Sequence, residues 1–300
     1  MRGPSYLKLY EDGRLRVVRD RLIKQLGDCR FCPRNCGADR LDGEKGFCRT
    51  GRYAVVSGGG LHFGEEPPLV GHDGSGTIFF SWCNLGCVYC QNYDISHLGS
   101  GRALNAGELA ALMLTLQKKG ARNINLVTPS HIIAQIIEAL IIAVEKGLRL
   151  PLVYNTGGYD KVSTLKEVEG VFDIYMPDAK YAERDSASDY SHAGDYWDVC
   201  RQAIKEMHRQ AGDLVLDECG IAQRGLLIRH LVLPNDIAGS FKIMDFIAKE
   251  ISADSYVNIM DQYHPCFKGY SIKELSRTVS HAEFGEVLDY ARNAGLKRGF

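Results

Sequence analysis

The sequence predicts an α/β protein, a partial (β/α)6 TIM-like barrel with a cysteine-rich N-terminal segment. From residue 77 onward, short β-branched and aromatic runs alternate with longer helical patterns, as successive βαβ units require. The length of 300 residues suits such a core plus an appendage. We therefore expect an N-terminal helix and a metal-binding segment over 1–55, and a barrel with C-terminal helices over 56–300.

Six candidate strands account for the barrel. Helical patterns lie between them, such as 106–120, with Leu109, Met113 and Leu116 on one face and Gly120 at its end. Right-handed crossovers of this kind favour parallel strands with the chemistry at their C-terminal ends. A doubly wound open sheet is the competing architecture. The six strands are predicted at 77–81, 124–127, 152–155, 172–176, 226–233 and 256–260.

The charge, hydrophobicity and cysteine content of the chain exclude some classes of protein function. The formal net charge of -1 gives no broad basic surface for nucleic acid or an anionic membrane, although a local basic patch is compatible with it. The most apolar stretch, 131–147, is interrupted by Gln135 and Glu138 and is shorter than a bilayer span of roughly 20 residues. Ten cysteines without a visible export signal indicate a cytoplasmic location and metal binding or catalysis in place of disulfides.

Cys83, Cys87 and Cys90, hereafter the three-cysteine loop, follow the first predicted strand directly. An iron–sulfur cubane takes four thiolates, one for each iron, so three thiolates leave one iron open. An open position on a metal is where a substrate or cofactor binds. The alternatives are a zinc site completed by a distant His or Cys, or chance clustering.

The arrangement C-x3-C-x-aromatic-C, with Tyr89 before the last cysteine, resembles the signature of the radical S-adenosylmethionine (radical SAM) superfamily. The resemblance runs from about residue 56 to about residue 270 and is closest to pyruvate formate-lyase activating enzymes, whose loop continues as Asn92 and Asp94 do here. It implies a 4Fe-4S cluster whose open iron is chelated by S-adenosylmethionine. Reduction then yields a 5′-deoxyadenosyl radical that abstracts hydrogen, with flavodoxin or ferredoxin as the reductant.

The same resemblance assigns cofactor-binding residues at successive strand ends. Arg229 is the expected partner of the methionyl carboxylate, since its fork suits a bidentate pair. His264 is expected near the cofactor sugar or the substrate. Lys180 is expected close to the cofactor. Four further residues are expected at a monovalent-cation site: Asn155, Thr156, Met176 and Asp178.

Two positions depart from the activating enzymes. Asn155 stands where they have an aspartate, which removes one charge from the cation site. After the second strand they carry Gly-Gly-Glu-Pro for the cofactor amino group, whereas this chain has "LVTPSHII". Thr128 and Ser130 can accept hydrogen bonds there without charge, so recognition of the amino group is expected to differ.

Cys29, Cys32, Cys36 and Cys48, hereafter the four-cysteine segment, form a complete ligand set with the spacing C-x2-C-x3-C-x11-C. Four soft ligands suit either zinc or a second 4Fe-4S cluster, and the spacing does not choose between them. A closed site of this kind is structural or relays electrons. Elsewhere, Cys200 is expected in the core. Glu65 and Glu66 are expected in a solvated loop, with a place at the barrel mouth as the alternative.

The leading hypothesis is a radical SAM enzyme that abstracts hydrogen from its substrate. In one version it installs a glycyl radical in a partner protein; in the other it modifies a small molecule, a peptide or RNA. The alternative from another class is a non-catalytic iron–sulfur electron carrier or a zinc-stabilised binding protein. Cleavage of S-adenosylmethionine under reducing conditions distinguishes the two classes.

Overall fold

The structure is a computed structural model, and it describes residues 3–300. Most of its strands form one sheet whose parallel members follow the chain order, and helices cover that sheet. The strands are β1 (Ala54–His62), β2 (Ser75–Phe80), β3 (Arg102–Leu104), β4 (Ile124–Val127), β5 (Leu152–Thr156), β6 (Ile174–Pro177), β7 (Val215–Leu216), β8 (Ala222–Leu231) and β9 (Tyr256–Met260).

The helices vary from single turns to four turns, joined by short 3-10 turns and one π turn at Ile247–Ile251. They are α1 (Ser5–Glu11), α2 (Arg14–Gln25), α3 (Pro67–Val70), α4 (Tyr93–Ser96), α5 (Ala106–Lys118), α6 (Ile133–Glu145), α7 (Val162–Glu167), α8 (Arg184–Ser191), α9 (Tyr196–Ala211), α10 (Ser240–Phe246) and α11 (His281–Asn293). Within residues 3–300, no helix has the length and apolar character to cross a membrane.

Six parallel strands form the barrel wall in the order β2-β4-β5-β6-β8-β9. The order never reverses, which excludes the doubly wound alternative, because that fold has a switch point. The wall does not close, since within residues 3–300 its last strand, β9, pairs with β8 and not with β2 or β1 at the other end. The register sets Val127, Asn155 and Met176 side by side at the carboxyl ends of three strands.

Local chemistry explains the predicted helices. Helix α5 begins at a capping box, in which the Asn105 side chain accepts from the Glu108 backbone and the Glu108 side chain accepts from the Asn105 backbone. Helix α6 is buried along most of its length, and the amide of Gln135 is satisfied by the Arg52 carbonyl at 3.0 Å. Cys200 is fully buried in α9, as predicted.

Strand β1 was not predicted. It runs through three consecutive glycines and pairs antiparallel with both β2 and β3. At Gly59 the side chain of Leu112 packs where a Cβ would stand, which accounts for one of the three. The glycine-rich stretch after residue 56 is therefore part of the sheet, and it leads into a segment that enters the barrel.

Candidate active site

The three-cysteine loop leaves β2 through a strained residue. Trp82, directly before Cys83, has φ of 68°, a conformation that is costly for a bulky side chain. Its N–H donates to the Ile95 carbonyl at 3.0 Å, and its indole packs so closely on Gly99 that a Cβ there would collide with the ring. These contacts fix the direction in which the loop departs from the strand end.

Every sulfur of the three-cysteine loop accepts a hydrogen bond. The donors are the Leu85 N–H to Cys83 Sγ (3.3 Å), the Ser191 hydroxyl to Cys87 Sγ (2.9 Å) and the Ser96 hydroxyl to Cys90 Sγ (3.2 Å). Such donors suit anionic thiolates, and hydrogen bonds to sulfur tune the potential of an iron–sulfur cluster. Burial raises the pKa of the Cys83 and Cys87 thiols, while the charge of Lys180 acts in the opposite direction. The set fits a cluster bound through thiolates.

A buried ionic group lies beside the loop. The Asp178 carboxylate accepts from Lys180 Nζ at 2.6 Å and from Arg229 Nε at 2.8 Å, and Arg229 Nη2 donates to Asn155 Oδ1 at 2.8 Å. Burial alone would raise the pKa of Asp178, but Arg229 and Lys180 hold it below its ordinary value. Lys180 and Arg229 place two charge-assisted donors at the cavity wall, and such donors suit an incoming carboxylate such as that of a methionyl group.

Two adjoining cavities open onto these groups. The cluster-side cavity, of about 160 Å³, reaches Cys83, Thr128 and Thr156. The lumen cavity, of about 350 Å³, extends into the barrel to Glu65 and His62. Residues that line both include Cys87, Cys90, Asn92, Asn155, Asp178, Lys180 and Arg229. A molecule that spans the two cavities would contact the loop and the ionic group together.

The other residues predicted from the sequence are distributed unevenly. Thr128 faces the cluster-side cavity from a backbone with φ of 63°, a second strained residue at a strand end. Ser130 is buried with its hydroxyl 3.2 Å from that of Thr156 and lines neither cavity. His264 is exposed, with Nδ1 3.4 Å from the amide nitrogen of Gln91, and it too lines neither cavity.

The prediction that Glu65 and Glu66 lie in a solvated loop is wrong. Their side chains are only 7% and 5% exposed. Glu66 Oε1 accepts from the Asn258 amide at 3.1 Å and lies 3.8 Å from Arg229 Nη1. The signal that could have revealed this is the following "PPLV", an apolar turn too hydrophobic for a solvated loop.

Three thiols of the four-cysteine segment are buried, and that of Cys36 is exposed. Burial, together with the neighbouring thiols, raises the pKa of the Cys32 thiol to about 12. Gly46 approaches Cys36 so closely that a Cβ would collide with its sulfur. Arg40 is 1% exposed, lies 3.6 Å from Cys29 Sγ, and forms no ion pair with a carboxylate anywhere in residues 3–300. The same guanidinium donates to the Gly51 carbonyl at 2.9 Å and to the His131 carbonyl at 2.6 Å, so Arg40 joins the segment to the start of α6.

The two cysteine groups are in contact. Arg34, which lies between Cys32 and Cys36, donates to the Asn84 carbonyl at 2.9 Å inside the three-cysteine loop, and it also donates to the His192 carbonyl. Its guanidinium stacks 3.8 Å from the centre of the Phe47 ring. A cavity of about 260 Å³ between the groups is lined by both Cys48 and Cys83.

Comparisons with known proteins agree with this arrangement. The sequence model of the radical SAM superfamily matches residues 77–219. An uncharacterized protein of Methanocaldococcus jannaschii is 32% identical over 279 residues, covering 90% of this chain and 75% of that protein.

Solved structures give a weaker likeness. Native anSMEcpe with bound AdoMet has a TM-score of 0.47 and 11% identity, with 71% of this chain and 57% of that chain covered. HydG, a maturase of the FeFe-hydrogenase, has a TM-score of 0.48 and 11% identity, with 72% and 48% covered. The chain thus spans about half the length of these two solved proteins.

An open parallel barrel with three thiols at the carboxyl end of its first strand defines an iron–sulfur enzyme with an incomplete ligand set. The chain belongs to one family with the Methanocaldococcus jannaschii protein, and its residues 77–219 match the radical SAM superfamily. A radical SAM domain implies an enzyme with a 4Fe-4S cluster, S-adenosylmethionine and an electron donor. The observations do not favour the alternative of a non-catalytic electron carrier or zinc-binding protein.

Proposed function

We propose that the three-cysteine loop holds a 4Fe-4S cluster with one open iron and that S-adenosylmethionine occupies the cluster-side cavity against it. The hydrogen bonds to all three sulfurs are the observation that carries this proposal. When bound, the cluster supplies the electron that splits the cofactor into methionine and a 5′-deoxyadenosyl radical, which takes a hydrogen atom from the substrate.

The chain's own residues orient the cofactor. Arg229 pairs with the methionyl carboxylate, because its guanidinium is held in one orientation by Asp178 and Asn155. Lys180, fixed by Asp178, adds a second charge-assisted donor. Thr128 and Thr156 contribute uncharged acceptors in the place of the missing glutamate.

Abstraction takes place from a substrate in the lumen cavity. If the substrate is a backbone segment of another protein, the reaction is the activation of a glycyl radical enzyme. The small volume of the cavity, about 350 Å³, and its charged lining favour a compact polar molecule.

We also propose that the four-cysteine segment holds a second iron–sulfur cluster that relays electrons to the first. Four soft thiolate ligands suit zinc as well as iron, and a cluster is the choice that lets the segment carry electrons. The contact of Arg34 with Asn84 supports a relay over a short path.

The deciding experiment is anaerobic reconstitution of the wild type and of the combined Cys83→Ala, Cys87→Ala and Cys90→Ala variant. After reduction with S-adenosylmethionine present, we expect 5′-deoxyadenosine from the wild type and none from the variant, because the open iron is lost with its ligands. Cys219→Ala is the matched control, since that thiol is exposed and distant from both groups. A fully loaded wild type that never forms 5′-deoxyadenosine would contradict the proposal.

A further inference from the structure

One segment of the chain enters the barrel from below. Residues 63–74, hereafter the plug, follow β1 and include the single turn α3. Leu69 of the plug packs in the lower lumen with Val153, Ile174, Met176 and Leu227. The plug thereby closes the bottom of the barrel and carries Glu65 and Glu66 into its interior.

Polar groups near the plug are left without partners. Within residues 3–300, Glu66 Oε2 and both amide atoms of Asn125 are buried and meet no hydrogen-bond partner. Asn125 lies on β4, is fully buried, and is near enough to act on the Glu65 carboxyl. Buried polar atoms are nearly always satisfied, so these atoms leave the floor beneath Glu65 short of hydrogen bonds, although neither residue lines a cavity itself.

Glu65 faces a different space from the cofactor residues. It lines the lumen cavity, in which Cys87 and Cys90 also appear, and it does not line the cluster-side cavity. A molecule on Glu65 would therefore lie in the lumen cavity, which also reaches Cys87 and Cys90, and outside the part of the site that holds Cys83. That is the position a substrate needs if the radical forms between the cluster and the lumen.

The charges around Glu65 favour a cationic group. Glu66 is a second carboxylate beside it, and His62 Nδ1 lies 3.2 Å from Glu65 Oε1. The nearby cations are Arg229, which bonds Asp178 and lies 3.8 Å from Glu66, and Lys180, which bonds Asp178, so three carboxylates face two cations. Burial raises the pKa of Glu65, Arg229 and His62 lower it, and Glu66 raises it further. A bound cation would remove the repulsion between the two carboxylates.

We propose that Glu65, supported by Glu66 and Asn125, is the recognition site for a small polar substrate that carries an ammonium or guanidinium group. This inference rests on the proposed function for the position of the cofactor. Glu65 is a binding residue in it, and the carboxylate accepts charge-assisted hydrogen bonds from the nitrogen. Asn125 supplies further polar contacts at the same floor.

The test uses the full-length reconstituted protein with S-adenosylmethionine and without reduction. Binding of n-butylammonium and of butyrate, probes of the same size and opposite charge, is measured by calorimetry. We expect the wild type to prefer n-butylammonium, and Glu65→Gln to lose about tenfold in its affinity for that probe. Glu65→Asp should retain the preference, and Glu218→Gln, an exposed carboxylate, should behave as wild type.

Equal binding of butyrate, no binding of n-butylammonium to the wild type, or full retention of the preference in Glu65→Gln would each overturn the inference. Circular dichroism and iron content show whether each variant is folded and loaded. Because the measurement needs no cleavage of S-adenosylmethionine, a failure of the proposed radical chemistry would be seen separately, in the 5′-deoxyadenosine assay.

Discussion

The three-cysteine loop and the four-cysteine segment are neighbours with opposite surroundings. The loop opens onto two cavities with Lys180 and Arg229 facing them. The four-cysteine segment is packed around its own thiols, and its buried cation, Arg40, is turned inward to Cys29. The comparison teaches that ligand number and surroundings change together. The three thiols open onto the two cavities beside Lys180 and Arg229, whereas three of the four thiols are buried within their own segment and Cys36 faces solvent.

The largest effect that would sharpen this contrast comes from Cys32→Ala combined with Cys48→Ala. If the segment holds a second cluster, iron content should fall from about eight atoms to about four per chain. Formation of 5′-deoxyadenosine driven by ferredoxin should fall more than about 100-fold, whereas with dithionite, a small reductant, it should persist. If the wild type contains zinc and the variant keeps the full iron content, the segment is a structural zinc site and not an electron relay.

A smaller effect is expected from Arg229→Lys on the open side. Lysine cannot reproduce the fork that joins Asp178 to Asn155, so affinity for S-adenosylmethionine should fall about 10- to 50-fold. Iron content should stay at the wild-type level, because no thiol is changed. Arg224→Lys, at an exposed position on the same strand, is the matched control. If the two variants bind S-adenosylmethionine with equal affinity, Arg229 is not part of the cofactor site.

The smallest effect tests the contact between the two groups. Arg34→Gln removes the donors to the Asn84 and His192 carbonyls and should lower the free energy of unfolding by about 1–3 kcal/mol. Denaturant titration measures it. Arg30→Gln, which loses only an exposed and solvent-screened pair with Asp28, should leave the free energy of unfolding close to the wild-type value. If both variants cost the same, the two groups are not coupled through Arg34.

Much of the barrel could be predicted because its signals are local. The strands at 124–127 and 256–260 have the predicted bounds, since short buried runs flanked by helices specify them. Strand β1 was missed because its glycines have low strand propensity, and its antiparallel partners decide its structure instead. The proposed division near residue 55 stays a prediction.

The parts of the site that could be predicted are the residues that lie at or just after the end of a predicted strand. Cys83, Asp178 and Arg229 each follow or end a strand, and parallel pairing brings them to one edge. Glu66 was misjudged because its partner Asn258 is 192 positions away, a contact that no local pattern reports. The cofactor roles of the residues at this edge, His264 included, stay predictions.

The plug has a consequence for how such enzymes diverge. It precedes residues 77–219, the stretch that carries the superfamily's pattern, and it contributes none of the thiols. Mutations confined to this one short stretch would reshape the floor of the barrel and leave the radical-generating parts unchanged. Proteins that share this architecture can therefore acquire new substrates while the residues that generate the radical are conserved.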